Sequence, residues 1–161
     1  MGLLLVRHSD AAQAVGQVDD AARWLTHAGR SKARAVAERL RERGIVFTRF
    51  VASPRVRAVQ TAEIFAQTLG FQGAVVSLPS LSYTSPADLA ARDLAGLDGH
   101  VAAFGHMPTL GDIAQLLTGG SAVAFAPSEA VWIEEGRLLW TVDPLEAMRD
   151  AEAQGGGNPG R

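Results

Sequence analysis

Cysteine is absent from the chain, which excludes disulfides, thiolate nucleophiles and thiolate metal sites, and a secreted disulfide framework with them. Long hydrophobic runs are missing too. The opening Met-Gly-Leu-Leu-Leu-Val stops at Arg7 with no basic segment before it, unlike a signal peptide, and no later stretch stays apolar long enough to span a bilayer. Charge of one sign is scarce. The formal net charge is −2, and the arginines are scattered through apparent helices rather than gathered in runs, so neither a nucleic-acid nor a membrane partner is expected. A cytoplasmic monomer is the default expectation.

What is present is a chain of 161 residues, 47% hydrophobic, enough for one respectable core and too short to divide comfortably. One domain over residues 1–154 is expected, followed by a glycine-rich tail at 155–161 with nothing to bury and expected to be disordered. Strand-like and helix-like segments alternate, which predicts an α/β fold: a three-layer sandwich with a mostly parallel central sheet and helices on both faces. Strands are predicted at Leu3–Val6, Thr48–Ala52, Ala74–Leu78 and Val101–Phe104. From Val123 onward two more flank the Glu134-Glu135-Gly136 turn as a hairpin. Thr26 reads as the cap of a helix that buries Ala33, Val36, Ala37 and Leu40 and stops at Gly44. Ser53-Pro54 reads as the start of a helix running to about Leu69, Pro86–Leu94 as a short helix, and Pro108 as the start of another ended by Gly119-Gly120.

In open α/β sheets ligands bind beyond the carboxyl ends of the strands. Arg7-His8, Ser53 with Arg57, and His106 all fall at such ends. Two guanidinium forks match phosphoryl oxygens bidentately; a neutral imidazole supplies a nucleophile, and a second one a hydrogen bond to a transferring oxygen. The candidate catalytic residues are therefore His8, Arg7, Arg57 and His106, with Arg7, Arg57, His106, Ser9 and Ser53 as the substrate-binding set. Arg55 is turned about 200° from Arg57 on a helix beginning at Ser53, so the pocket is assigned to Arg57. Asp10 is near enough in sequence to tune His8. His27 and His100 read as solvated or turn residues, and Trp24, Trp132 and Trp140 as packing.

These residues carry a resemblance. Arg7-His8-Ser9 resembles the Arg-His-Gly signature of the histidine phosphatase superfamily, which is phosphoglycerate mutase-like in fold. Ser53-Pro54-x-x-Arg57-Ala58-x-Gln60-Thr61 resembles its second arginine motif, Gly105-His106-x-Pro108 its second histidine motif, and Leu25-Thr26-x-x-Gly29 a segment of its compact SixA-like branch of phosphohistidine phosphatases. The resemblance implies that His8 is the phosphorylated nucleophile, that Arg7, Arg57 and His106 hold the phosphate, and that no metal or other cofactor is needed. Ser9 stands where the family more often has glycine or alanine, placing a hydroxyl beside the nucleophile.

A general acid is the last thing missing. Mutases and many ester-cleaving members of the superfamily carry one between the second arginine and the second histidine. Here Glu63 lies well inside a helix, and Asp88, Asp93 and Asp98 do not stand out. The expected activity is hydrolysis of phosphohistidine on a phosphorylated protein. The alternatives are a phosphomonoesterase acting on a small phosphorylated substrate, and a phosphate-binding module without catalysis.

Overall fold

The computed structural model describes residues 1–14, 16 and 19–155. Six strands form one sheet: β1 (Gly2–Arg7), β2 (Arg49–Ala52), β3 (Val75–Ser77), β4 (Val101–Gly105), β5 (Ala130–Glu134) and β6 (Arg137–Val142), in the order β3-β2-β4-β1-β5-β6. The first four positions are parallel, and β5 and β6 complete the sheet as an antiparallel hairpin. The helices are α1 (His27–Arg41), α2 (Val56–Leu69), α3 (Ala87–Ala95), α4 (Thr109–Thr118) and α5 (Pro144–Gly155).

Strand alternation sorts the core into two layers. Leu4, Val6, Phe50, Ala52, Ala102, Phe104 and Trp132 face α1, α2 and α5, while Leu3, Leu5, Val51, Val101, Ala103 and Ile133 face α3 and α4. Phe104 stacks on Phe50 at 5.6 Å and takes the edge of Phe65 at 5.2 Å, fixing the central strand pair against α2. The predicted sandwich is the observed one.

Thr26 caps α1 as expected, its Oγ1 accepting the Gly29 N–H at 2.9 Å, and Ala33, Val36, Ala37 and Leu40 are all buried. Three expectations need correction. The second long helix starts at Val56 rather than at Ser53-Pro54, because the Ser53 hydroxyl is bound to His106 and does not cap it. The polypeptide from Val123 reaches its hairpin only at Ala130. A fifth helix, α5, was not foreseen: Asp143 accepts the Leu145 and Glu146 N–H groups at 2.8 and 3.0 Å, an N-cap followed by proline at the first helical position. The predicted disordered tail lies, from residue 156 on, outside the described residues.

Gly29 is where α1 meets the segment that carries the site. A Cβ there would lie 2.2 Å from the Asp10 carbonyl oxygen, and that oxygen belongs to backbone. Gly29→Ala is expected to destabilise the fold by ~1–3 kcal/mol, the usual cost of overpacking, read as a fall in Tm. An unchanged Tm would mean that the chain around Asp10 yields freely.

Candidate active site

The register of the sheet builds the site. Arg7 is paired with Gly105 across β1 and β4, and the His8 N–H donates to the Gly105 carbonyl at 2.9 Å. His8 and His106 therefore leave adjacent parallel strands side by side, with ring centroids 5.0 Å apart. On the other flank Ala52 pairs with Phe104 and the Ser53 N–H donates to the Phe104 carbonyl at 2.9 Å, which brings Ser53 Oγ to 2.8 Å from His106 Nε2.

His8 Nδ1 lies 2.7 Å from the Ser9 carbonyl oxygen. A carbonyl only accepts, so Nδ1 carries the proton and Nε2 keeps its lone pair. Burial pushes the His8 pKa down to about 4; the Ser9 bond raises it, and the Arg57, Arg7 and Arg23 charges lower it further. His106 falls to about 3, through burial first and then the proximity of His8, Arg57 and Arg55. Both imidazoles are neutral at neutral pH, the state a nitrogen nucleophile requires.

Four arginines surround them. Arg7 donates from Nη1 to the Phe125 carbonyl at 2.8 Å, while its backbone N–H and C=O bond Glu129 and Ser128, so the end of β1 is latched to the segment before β5. Arg57 is nearly fully buried, and its Nη1 donates to the Asp20 carbonyl at 2.8 Å. The Asp20 carboxylate then accepts from Arg23 Nη1 at 3.0 Å, Arg55 Nη1 at 2.6 Å, Arg57 Nη2 at 3.3 Å and the Tyr83 hydroxyl at 3.3 Å. Its pKa is lowered to about 2, mainly by the Arg23 hydrogen bond, with Arg57 and Arg55 adding to it. Arg55 lies over the Tyr83 ring at 4.2 Å, and that ring meets His106 edge-on at 5.7 Å. The Nε groups of Arg7, Arg55 and Arg57 are buried with no acceptor among the described residues. Buried donors are rarely left so, and the guanidinium groups together favour an oxyanion, an acceptor at every oxygen.

The expected set Arg7, His8, Arg57 and His106 is thus brought together. Ser9 and Ser53 are not free to bind substrate as expected. Ser9 is fully buried, its hydroxyl donating to the Gly29 carbonyl at 2.6 Å and its N–H to Thr61 Oγ1 at 3.0 Å, so the hydroxyl fits by pointing away from the nucleophile; Ser53 Oγ is taken by His106. Asp10 pairs with Lys32 at 2.6 Å instead of tuning His8. Asp88 pairs with Arg92, Asp93 accepts from Ser80 at 2.6 Å, and Asp98 is exposed beyond α3. Trp24 is half exposed rather than packed, whereas Trp132 and Trp140 stack on each other.

Arg55, Asp20, Arg23 and Tyr83 were missed. Arg55 precedes the first helical residue, so the helical angle that turned it from Arg57 does not apply. Asp20 belongs to a single 3-10 turn in an alanine-rich loop, where no periodicity marks it; its one signal is that it is an acid three places before Arg23.

A hollow of about 520 Å³ beside Ile45, Phe47, Leu69 and Phe71 lies at the opposite end of β2 and holds none of these groups. No helix among the described residues is long and apolar enough to cross a membrane, and no three metal-ligating side chains gather among them.

Two neutral imidazoles among guanidinium groups, at the carboxyl edge of a parallel sheet, make this an α/β protein with a site suited to an oxyanion. Residues 3–83 match the family model of the Histidine phosphatase superfamily (branch 1), and the chain belongs to that superfamily. Phosphatase chemistry is the activity this membership supports. An uncharacterized protein of Picosynechococcus sp. is 35% identical over 74% of this chain and 74% of its own. Phosphohistidine phosphatase SixA of Escherichia coli is 28% identical over 89% of this chain and 94% of its own, a span that includes most of the sequence beyond the family match. Among solved structures, the protein histidine phosphatase SixA complexed with tungstate superposes with a TM-score of 0.85 and 26% identity, over 91% of this chain and 99% of that one.

The two site histidines tie stability to pH. Unfolded histidine takes a proton near its ordinary value of 6.5, and the folded ones only near 4 and 3. The unfolded chain binds more protons in between, so stability falls as pH drops below 6.5 and the histidine contribution is lost as pH passes through those values. The urea midpoint of the wild type should fall between pH 7.5 and pH 5. His8→Ala should show a shallower fall, having one such group fewer; an equal slope would contradict the lowered pKa of the half-buried His8.

Proposed function

We propose that this chain is a phosphohistidine phosphatase whose His8 Nε2 takes the phosphoryl group from a phosphorylated histidine on a protein substrate. The observation that carries the reading is the state of the carboxylates. Asp20, which does reach the arginine cluster, is held ionised with a pKa of about 2, and Asp88, Asp93 and Asp98 are engaged or exposed elsewhere. An alkoxide leaves badly without a positioned acid, whose usual worth is ~10²–10⁴-fold. Imidazole, with a pKa near ~6.5, leaves as a neutral ring after one proton from solvent. Similarity to SixA in sequence and in structure supports the same substrate class.

In this reading the His8 Nε2 lone pair forms a bond to phosphorus as the bond from phosphorus to the substrate nitrogen breaks. With a proton from solvent already on the other nitrogen of the substrate ring, the departing electron pair stays on the freed nitrogen and the substrate leaves as neutral imidazole. Water attacks the phosphorus on His8, releasing inorganic phosphate and the neutral imidazole. Arg7 and Arg57 take the charge that a metal ion carries in other phosphoryl-transfer sites, and His106, steadied by Ser53, donates to a phosphoryl oxygen. The reading takes the protein as a cytoplasmic monomer working as one domain over residues 1–154.

Three measurements test this. His8→Ala should abolish turnover and acid-labile labelling of the folded protein; substantial activity in it would end the mechanism. The kcat/KM of the wild type should keep its acid limb near pH 4, where His8 protonates, rather than near its ordinary value. A phosphohistidine peptide and an aryl phosphate should be hydrolysed far faster than a sugar phosphate. Comparable rates on the sugar phosphate would favour the monoesterase, and no turnover of any of the three a binding module.

Arg57→Ala should cost ~2.7–4 kcal/mol of transition-state stabilisation, and Arg57→Lys should recover only part of it because an ammonium lacks the fork. Equal activity in Arg57→Lys and wild type would show that charge alone suffices.

A further inference from the structure

Asp20 has no part in the reaction described above, yet its oxygens meet more of the site's cations than any other acid among the described residues. Arg57 is clasped from one side by this single residue: Nη1 by the Asp20 carbonyl at 2.8 Å and Nη2 by the carboxylate at 3.3 Å. Its Nε is buried and has no acceptor among the described residues, so Asp20 supplies every hydrogen bond the guanidinium makes there. The same carboxylate oxygen holds Arg55 Nη1 at 2.6 Å while Arg55 lies on Tyr83, whose hydroxyl returns to that oxygen at 3.3 Å. Arg23, bonded to the other carboxylate oxygen at 3.0 Å, anchors the turn by donating from Nε to the Ala12 carbonyl at 2.7 Å.

We infer that Asp20 is a positioning residue, which sets the phosphoryl clamp by fixing the orientation of Arg57 and, with it, Arg55. The inference rests on the phosphoryl-transfer reading of the site. A carboxylate beside a phosphoryl pocket acts in two opposed ways: it repels the incoming dianion, and it orients the cations that bind it. Exposure decides between them. The Asp20 side chain is 40% exposed, so solvent screens its repulsion. The Arg57 side chain is 5% exposed, and a buried guanidinium that loses its partner must turn to find another.

The test uses Asp20→Asn, Arg57→Ala and the double variant, with kcat and KM on an aryl phosphate, tungstate affinity by calorimetry, and Tm. Asp20→Asn should weaken tungstate binding and lower kcat/KM by up to ~10²-fold, the scale of a misplacement near 1 Å, with kcat falling more than KM rises and Tm little changed. In the Arg57→Ala background the same substitution should change kcat/KM by no more than a few-fold, because Asp20 acts through Arg57. Asp20→Glu, which keeps the charge and misplaces it, should fall between wild type and Asp20→Asn, and it serves for the comparison if the Asn variant is unstable. Tighter tungstate binding with higher kcat/KM in Asp20→Asn would show a competitor and overturn the inference, as would an equal loss with and without Arg57. If the wild type hydrolyses no phosphate compound but binds tungstate through Arg57, weaker binding by Asp20→Asn upholds the inference while the phosphatase reading fails.

Discussion

The hydrogen bond from the His8 N–H to the Gly105 carbonyl, 2.9 Å long, is the join on which the site depends. It extends the parallel pairing of β1 with β4 by one residue beyond Arg7 and Gly105. Because side chains alternate along a strand, a slip of one residue would turn His8 to the opposite face. The slip is resisted by the core. Leu4 and Val6 on one face and Leu3 and Leu5 on the other are buried to within 4% exposure, so no other register keeps both layers filled. Apolar packing deep in the sheet thus sets the 5.0 Å separation of the two imidazoles.

The environment then determines what those rings can do. Burial and neighbouring guanidinium groups both disfavour an imidazolium, so the protein keeps two histidines neutral among four arginines. The arginines pose the reverse problem, since positive charges gathered in a partly buried cleft repel one another and need acceptors. The protein supplies those sparingly, with the Phe125 carbonyl for Arg7 and the carbonyl and carboxylate of one turn for Arg57 and Arg55. What it leaves unpaired, the three buried Nε groups, is on the side chains a phosphoryl group would be expected to meet.

Much of this was legible in sequence where a local pattern has a local cause. The Leu3–Val6 run could only be a buried strand, so Arg7 and His8 had to stand at its end. Thr26 announced a capped helix and Gly29 a motif position, whose close approach to the Asp10 carbonyl the fold then explains. Gln60 and Thr61 came into view as motif residues, and the fold gives their reasons: Gln60 Oε1 accepts the Leu25 N–H at 2.8 Å, and Thr61 Oγ1 accepts the Ser9 N–H at 3.0 Å. What stayed hidden were partners chosen across the fold. Ser53 looks like a helix cap until β4 brings His106 to it, and Arg55 looks averted only if the helix has already begun. Asp20 and Arg55 are 35 positions apart, and nothing in a loop of alanines reveals such a partner.

The errors share a physical form. Ser9 and Ser53 were assigned to the substrate and Asp10 to His8 from their places in the chain, whereas the fold gives Ser9 to Gly29 and Thr61, Ser53 to His106 and Asp10 to Lys32. That allocation suits phosphoryl transfer, in which positioning and charge stabilisation carry the rate and the protein has little covalent chemistry to supply. A site of this kind gains from a rigid surround more than from an additional acid. A carboxylate gripped by arginines is well made for the first task and unfit for the second, because the contacts that immobilise it also strip its proton.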